Sequence, residues 1–128
     1  MKKEIIICIV VIILVIALNS ITDDYTKNSA ESVKADLSIV KEEIEQHRGD
    51  DKISESVKKA KYNWDNRYKT LAYYLEHDEL EKVTVYLVGL ESKVKSEEYP
   101  QAIEELEKCI YILDHIEDKY SFNLRNIF

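Results

Sequence analysis

The side chains able to do chemistry are few, and their spacing fits no known catalytic or metal-binding pattern. His47, His77 and His115 are the only imidazoles in 128 residues. A metal site could pair His77 with Asp78 or Glu79, or His115 with Asp114 or Glu117. Helical di-metal sites need glutamate three residues before histidine on an inward face. Those positions hold Ile44, Tyr74 and Ile112. A His-Glu-x-x-His sequence is also missing. His47 and His77 fall near predicted helix ends, where imidazole can cap carbonyls. Cys8 and Cys109 sit too far apart to pair within one molecule, and two cysteines make no disulfide framework. Cys109 adjoins an apolar stripe and reads as a small buried hydrophobe. Adjacent carboxylates such as Glu42-Glu43 and Glu104-Glu105 diverge around a helix, so they read as a solvated face rather than an acid–base pair. Trp64 could be a ligand platform, but at its spacing it reads as the largest core side chain. With only two Gly, a glycine-cradled phosphate loop is excluded. The expectation is a protein that is not an enzyme, with no catalytic residue, no cofactor and no metal.

The elements that carry these residues begin with an apolar segment. Ile5 to Leu18 is an unbroken apolar run, and Ile21 extends it before Asp23 and Asp24 end it. A bilayer span needs about 20 residues, with about 17 the lower limit, which residues 5–21 just meet. A cleaved signal peptide would need small residues at the cleavage site. The candidates Ala17-Leu18-Asn19 and Leu18-Asn19-Ser20 are poor ones. A buried core helix would carry a polar face, which the run lacks. The segment therefore predicts an uncleaved anchor. Lys2 and Lys3 ahead of it place the N-terminus in the cytoplasm and the remainder outside. Setting Lys2, Lys3 and Glu4 aside from the 18 basic and 25 acidic residues leaves 16 and 24 outside, a net charge of −8. That sign excludes nucleic acid as a partner and disfavours anionic lipid head groups.

Beyond the anchor the apolar spacing is helical throughout. Val33, Leu37, Val40 and Ile44 form one stripe; Gly49-Asp50-Asp51 breaks it, with Gly suited to a helix C′ position and Asp to an N-cap. Ile53, Val57, Ala60, Trp64, Tyr68, Leu71 and Leu75 form the next. The phase slips at His77-Asp78, which predicts a tight turn capped by Asp78. Leu80, Val83, Leu87, Leu90 and Val94 form a third helix with Gly89 inside it. A fourth starts near Pro100 with Ile103, Leu106, Ile110, Leu113 and Ile116, followed by a packed tail with Phe122, Leu124, Ile127 and Phe128. Val33, Leu37, Val40, Ile44, Ile53 and Ala60 reappear at an offset of 50 as Val83, Leu87, Leu90, Val94, Ile103 and Ile110. Short connections make the helices antiparallel neighbours. The predicted fold is all-α: an N-terminal transmembrane helix followed by an up-and-down antiparallel helical bundle. Its parts are a cytoplasmic tip at 1–4, an anchor at 5–21 and an extracytoplasmic bundle at 22–128.

Several short motifs, in order, resemble those of a bacterial family, domain-of-unknown-function family 4363. They are the Met1-Lys2-Lys3 start and Ile-rich anchor, Trp64, Glu76-His77-Asp78-Glu79-Leu80, Leu113-Asp114-His115-Ile116 and Leu124-Arg125-Asn126-Ile127. The resemblance implies an anchored helical protein. It carries no catalytic residue, because the family has no assigned activity. The family's genes neighbour genes for multi-pass membrane proteins, which implies a partner of that kind.

The apolar surface is broader after residue 70 than before it. Leu71 to Leu75, Val83 to Val88 and Cys109 to Leu113 each exceed the width of a two-helix seam. The expected reason is a thicker core. The alternative is a contact surface at the membrane end of the bundle, with Tyr73, Tyr74, Tyr86 and Tyr111 as its contacts. The function expected is a membrane-anchored, non-catalytic interaction module, an accessory partner of a membrane protein. The rival is an extracytoplasmic ligand-sensing module, which would need a cavity near Trp64 or the tyrosines.

Overall fold

A computed structural model describes the backbone of residues 1–127 and the side chains of residues 1–120. Four helices follow one another: α1 Lys2–Glu45, α2 Asp50–Leu71, α3 His77–Lys95 and α4 Tyr99–Ile127. No strand occurs among the described residues. Each helix packs against its neighbours in sequence, and α1 also packs against α4, which closes a square. The fold is an all-α, up-and-down antiparallel bundle with one long apolar helix at its N-terminus.

The apolar segment and the first bundle helix are one continuous element. Its 44 residues extend about 66 Å at 1.5 Å per residue. The first half is long and apolar enough to cross a bilayer, and none of its most apolar stretch is buried by the rest of the chain. Burial starts at Thr26. Thr22 Oγ bonds the carbonyls of Leu18 and Asn19, and Thr26 Oγ bonds that of Thr22. Thr22 and Thr26 thus bond back onto their own helix, and α1 leaves the apolar segment without a break.

The turns differ in detail from the sequence expectation. The C′ residue of α1 is His47, not glycine: its φ is 54°. The His47 amide bonds Ile44 O and the Arg48 amide bonds Glu43 O, the two bonds of a Schellman motif. Gly49, at φ 81°, is the N-cap of α2, and Asp50 is the first helical residue instead of the cap. The second turn lies at 72–76, just before the expected position. Glu76, not Asp78, is the residue preceding α3, and Asp78 sits in the first helical turn, where its charge suits the helix dipole.

The third connection repeats the first. Glu97 has φ 57°, its amide bonds Val94 O, and the Glu98 amide bonds Lys93 O. These bonds match those of the first turn at an offset of 50. Past the turn the offset is 49, because Gly49 has no counterpart. The buried residues Ile53, Val57, Ala60 and Trp64 correspond to Ala102, Leu106, Cys109 and Leu113. Of the expected α4 stripe, Leu106, Leu113 and Ile116 are buried, whereas Ile103 and Ile110 only flank the core; Ala102 and Cys109, one residue earlier, hold those two inward places. α4 runs to Ile127; the expected packing of Phe122, Leu124, Ile127 and Phe128 lies outside the described residues.

The stripes of α1, α2 and α3 are buried as predicted apart from half-buried Tyr68. Trp64 is 1% exposed; its Nε1 donates to Thr84 Oγ at 2.9 Å, and its ring meets Tyr68 edge-on at 6.1 Å. Polar bonds fix the register around this core. Asn63 donates to Ser32 and Asp36, and Arg67 to Asn63 and Ser29, along α1–α2. Lys34 bridges Asp114 and Glu117, and Lys41 pairs with Glu107, along α1–α4.

Candidate functional site

The register of the salt bridges sets the height of every surface residue above the apolar segment. Asp114 lies level with Lys34 and Glu107 with Lys41. Tyr111 lies between them. It is therefore about 20–30 Å along α1 from Ile21. Tyr86 shares a groove with Glu107, Lys108, Tyr111 and Ile112, of about 340 Å³ and open to solvent. The α2–α3 turn is at a different level. Tyr74 hydroxyl bonds Thr22 O at 3.1 Å and Thr26 Oγ at 2.9 Å, which places Tyr73 and Tyr74 beside the end of the apolar segment. The four tyrosines thus form two groups at two heights, rather than one surface at one end.

The upper group belongs to an apolar strip on the outside of α3 and α4. Tyr111 is 71% exposed and Val85 61%, and Tyr86 shares a groove with each of them; Val88, also exposed, is one turn from Thr84 on the α2 side of α3. Tyr86 packs partly on the core, and Ile112 is buried beneath the groove. The expectation of a thicker core fails at Val85 and Val88. The signal that separates them is phase: Leu80, Val83, Leu87, Leu90 and Val94 already fill the inward face of α3, so Val85 and Val88 point elsewhere. The strip is flanked by Glu81 and Lys82 on α3 and by Glu107 and Lys108 on α4.

The histidines and the paired carboxylates are dispersed. His47 lies in the first turn and His77 begins α3. His115 Nε2 lies 3.3 Å from Glu79 Oε1, which also takes Lys119 Nζ at 3.2 Å. Among the described residues no group of three or more His, Cys, Asp and Glu could hold a metal ion. Of the carboxylate pairs, Glu42 and Glu104 are exposed, but Glu43 is buried beside Ile44 and Glu105 is partly covered against α3. Glu43 Oε2 has no hydrogen-bond partner among the described residues. The reading of a solvated face therefore fails for Glu43, whose position three residues after Val40 turns it inward.

At the far end of the bundle the Tyr99 hydroxyl bonds the Asp50 carboxylate. The bonds from Tyr99 and Glu97 hold Asp50 below the usual carboxylate range, while the bond to Asp50 raises Glu97. This exposed contact ties the two Schellman turns together. Burial pushes the Cys109 thiol up to about 12, so it stays protonated and poorly nucleophilic at neutral pH.

No curated protein and no solved structure matches the chain. A family model does match, over residues 20–127, beginning after most of the apolar segment. Since that match covers nearly all of the bundle, the chain belongs to the family described as Domain of unknown function (DUF4363).

Proposed function

We propose that the chain is a membrane-anchored, non-catalytic interaction module. In this reading residues 5–21 hold it in the bilayer with the N-terminus in the cytoplasm. The bundle stands outside and binds an extramembrane segment of a membrane protein through the α3–α4 strip. The observation that carries the reading is the exposure of Val85 and Tyr111 on either side of Tyr86, on helices whose inward stripes are already filled. Exposed apolar side chains grouped together mark contact surfaces, whereas scattered ones need no explanation. The flanking charges are of both signs, and the chain is acidic overall, which favours a protein over nucleic acid or anionic lipid. Height adds a constraint: a surface about 20–30 Å above the apolar segment meets a loop or domain of its partner, not a transmembrane helix. The ligand-sensing alternative draws on the groove between Tyr86 and Tyr111, but that groove is open, whereas small-molecule sites enclose most of their ligand.

The test is recovery of the partner from detergent-solubilised membranes with the tagged full chain. The strip variant Val85→Ser/Tyr111→Ser should lose the protein that the parent chain retains, while Asp50→Asn/Asp51→Asn should keep it. Equal recovery with the strip variant would overturn the assignment of the surface.

A further inference from the structure

Four of the nine tyrosines cluster within a few turns of the end of the apolar segment. Tyr25 follows Ile21 by four residues, about 6 Å along the helix. Tyr74 is fastened to Thr22 O and Thr26 Oγ. Tyr120 follows Lys119, which pairs with Glu76 and Glu79, and its hydroxyl accepts the Glu76 amide at 3.3 Å. Tyr25 and Tyr120 pack partly against the core. Tyr73 does not: it is 91% exposed at the tip of the α2–α3 turn. Three elements thus bring tyrosine to one level: α1, the α2–α3 turn and α4.

We infer that Tyr25, Tyr73, Tyr74 and Tyr120 form an aromatic collar that seats the bundle directly on lipid head groups, with Tyr73 the side chain that enters them. The inference rests on the membrane-anchor reading. Tyrosine is favoured at the membrane–water interface, where the ring is in the apolar boundary and the hydroxyl stays hydrated. The head-group zone adds about 5–7 Å to each side of the hydrocarbon, a depth that reaches the level of Tyr25 and of Thr22, to which Tyr74 is bonded. Because α1 runs unbroken from the apolar segment into the bundle, no flexible stalk lifts the turn away from this zone. The charges at this level are mixed. Asp23, Asp24, Glu76 and Asp78 oppose Lys27 and Lys119, so the surface suits zwitterionic head groups better than anionic ones.

The collar is tested with tryptophan reporters in the full chain, reconstituted in phosphatidylcholine vesicles brominated at shallow or deep acyl positions. The single native Trp64 is buried and serves as a constant background. Three variants are compared: Ile13→Trp within the apolar segment, Tyr73→Trp at the turn, and Tyr62→Trp. Tyr62 is on α2, which leads into the turn, exposed like Tyr73, and about 16 Å higher. The expected result is strong quenching of Ile13→Trp by deep bromines. Tyr73→Trp should lose at least about twofold more emission to shallow bromines than Tyr62→Trp, as an interfacial site requires. If Tyr73→Trp is quenched no more than Tyr62→Trp while Ile13→Trp is quenched, the collar is overturned and the anchor stands. Strong and equal quenching of Tyr62→Trp and Tyr73→Trp means the bundle lies flat, which also overturns the seating. An unquenched Ile13→Trp removes the anchor and the collar with it.

Discussion

Replacing Trp64 is the sharpest test of how the bundle is held together. Trp64→Ala removes the largest fully buried side chain, and truncations of this kind cost about 3–5 kcal/mol. Against a typical domain stability of about 5–15 kcal/mol, that is a large share. The hydrogen bond to Thr84 supplies only part of it. Thr84 Oγ also bonds Leu80 O at 3.4 Å, so loss of the indole leaves the hydroxyl with one partner. Trp64→Phe keeps most of the ring volume and gives up the N–H, so about 1–2 kcal/mol is expected. Thr84→Val does the reverse: it strands the indole N–H in the core, at a cost of about 1–3 kcal/mol. The assay is urea unfolding of the full chain in detergent, followed by near-ultraviolet circular dichroism, because the apolar half of α1 can remain helical in the micelle. A Trp64→Ala loss below about 1 kcal/mol, closer to the range of surface substitutions, would refute the reasoning. So would a Trp64→Phe loss equal to that of Trp64→Ala.

The full chain should stay in the membrane pellet after alkaline wash and keep its N-terminus; a soluble form beginning near Ile21 would contradict the anchor. Gly89→Ala should stabilise the bundle by about 0.5–1 kcal/mol through helix propensity. The new Cβ would lie 2.7 Å from Glu105 Oε2, the far end of a flexible side chain that can swing aside, and a lower melting temperature would show that it cannot. Cys109 should resist iodoacetamide at neutral pH in the folded protein and react on unfolding, as read by mass spectrometry; rapid labelling of the native chain would contradict its burial. Because its folded value, about 12, exceeds the ordinary 9.0, this thiol's contribution to stability is whole below about pH 9 and is lost as pH rises towards about 12.

Most of the fold was legible because apolar residues at helical spacing have one dominant explanation, burial. The stripes of α1, α2 and α3 depended on nothing else. In α4 the inward positions of Leu106, Leu113 and Ile116 were legible in the same way, but hydrophobicity favoured Ile103 and Ile110 over their smaller neighbours Ala102 and Cys109, which face inward. The turns were misread for a related reason. Glycine was expected to take the left-handed position of the first turn, but His47 takes it, held by the Schellman bonds, as Glu97 does in the third connection. The two heights of the tyrosines depend on inter-helix pairs such as Lys34–Asp114 and Tyr74–Thr22. No single helix encodes that register, so the sequence could not separate Tyr86 and Tyr111 from Tyr73 and Tyr74.

The measurement that bears most directly on the proposed interaction is site-specific photocrosslinking in intact cells. A photoreactive phenylalanine analogue is placed singly at Val85, Tyr111, Tyr62 and Asp51 of the full chain. The α3–α4 strip predicts an adduct with one and the same membrane protein from Val85 and Tyr111, at a site in its extramembrane portion, and none from Tyr62 or Asp51. Adducts clustered at Asp51, or formed equally from all four positions, would contradict it.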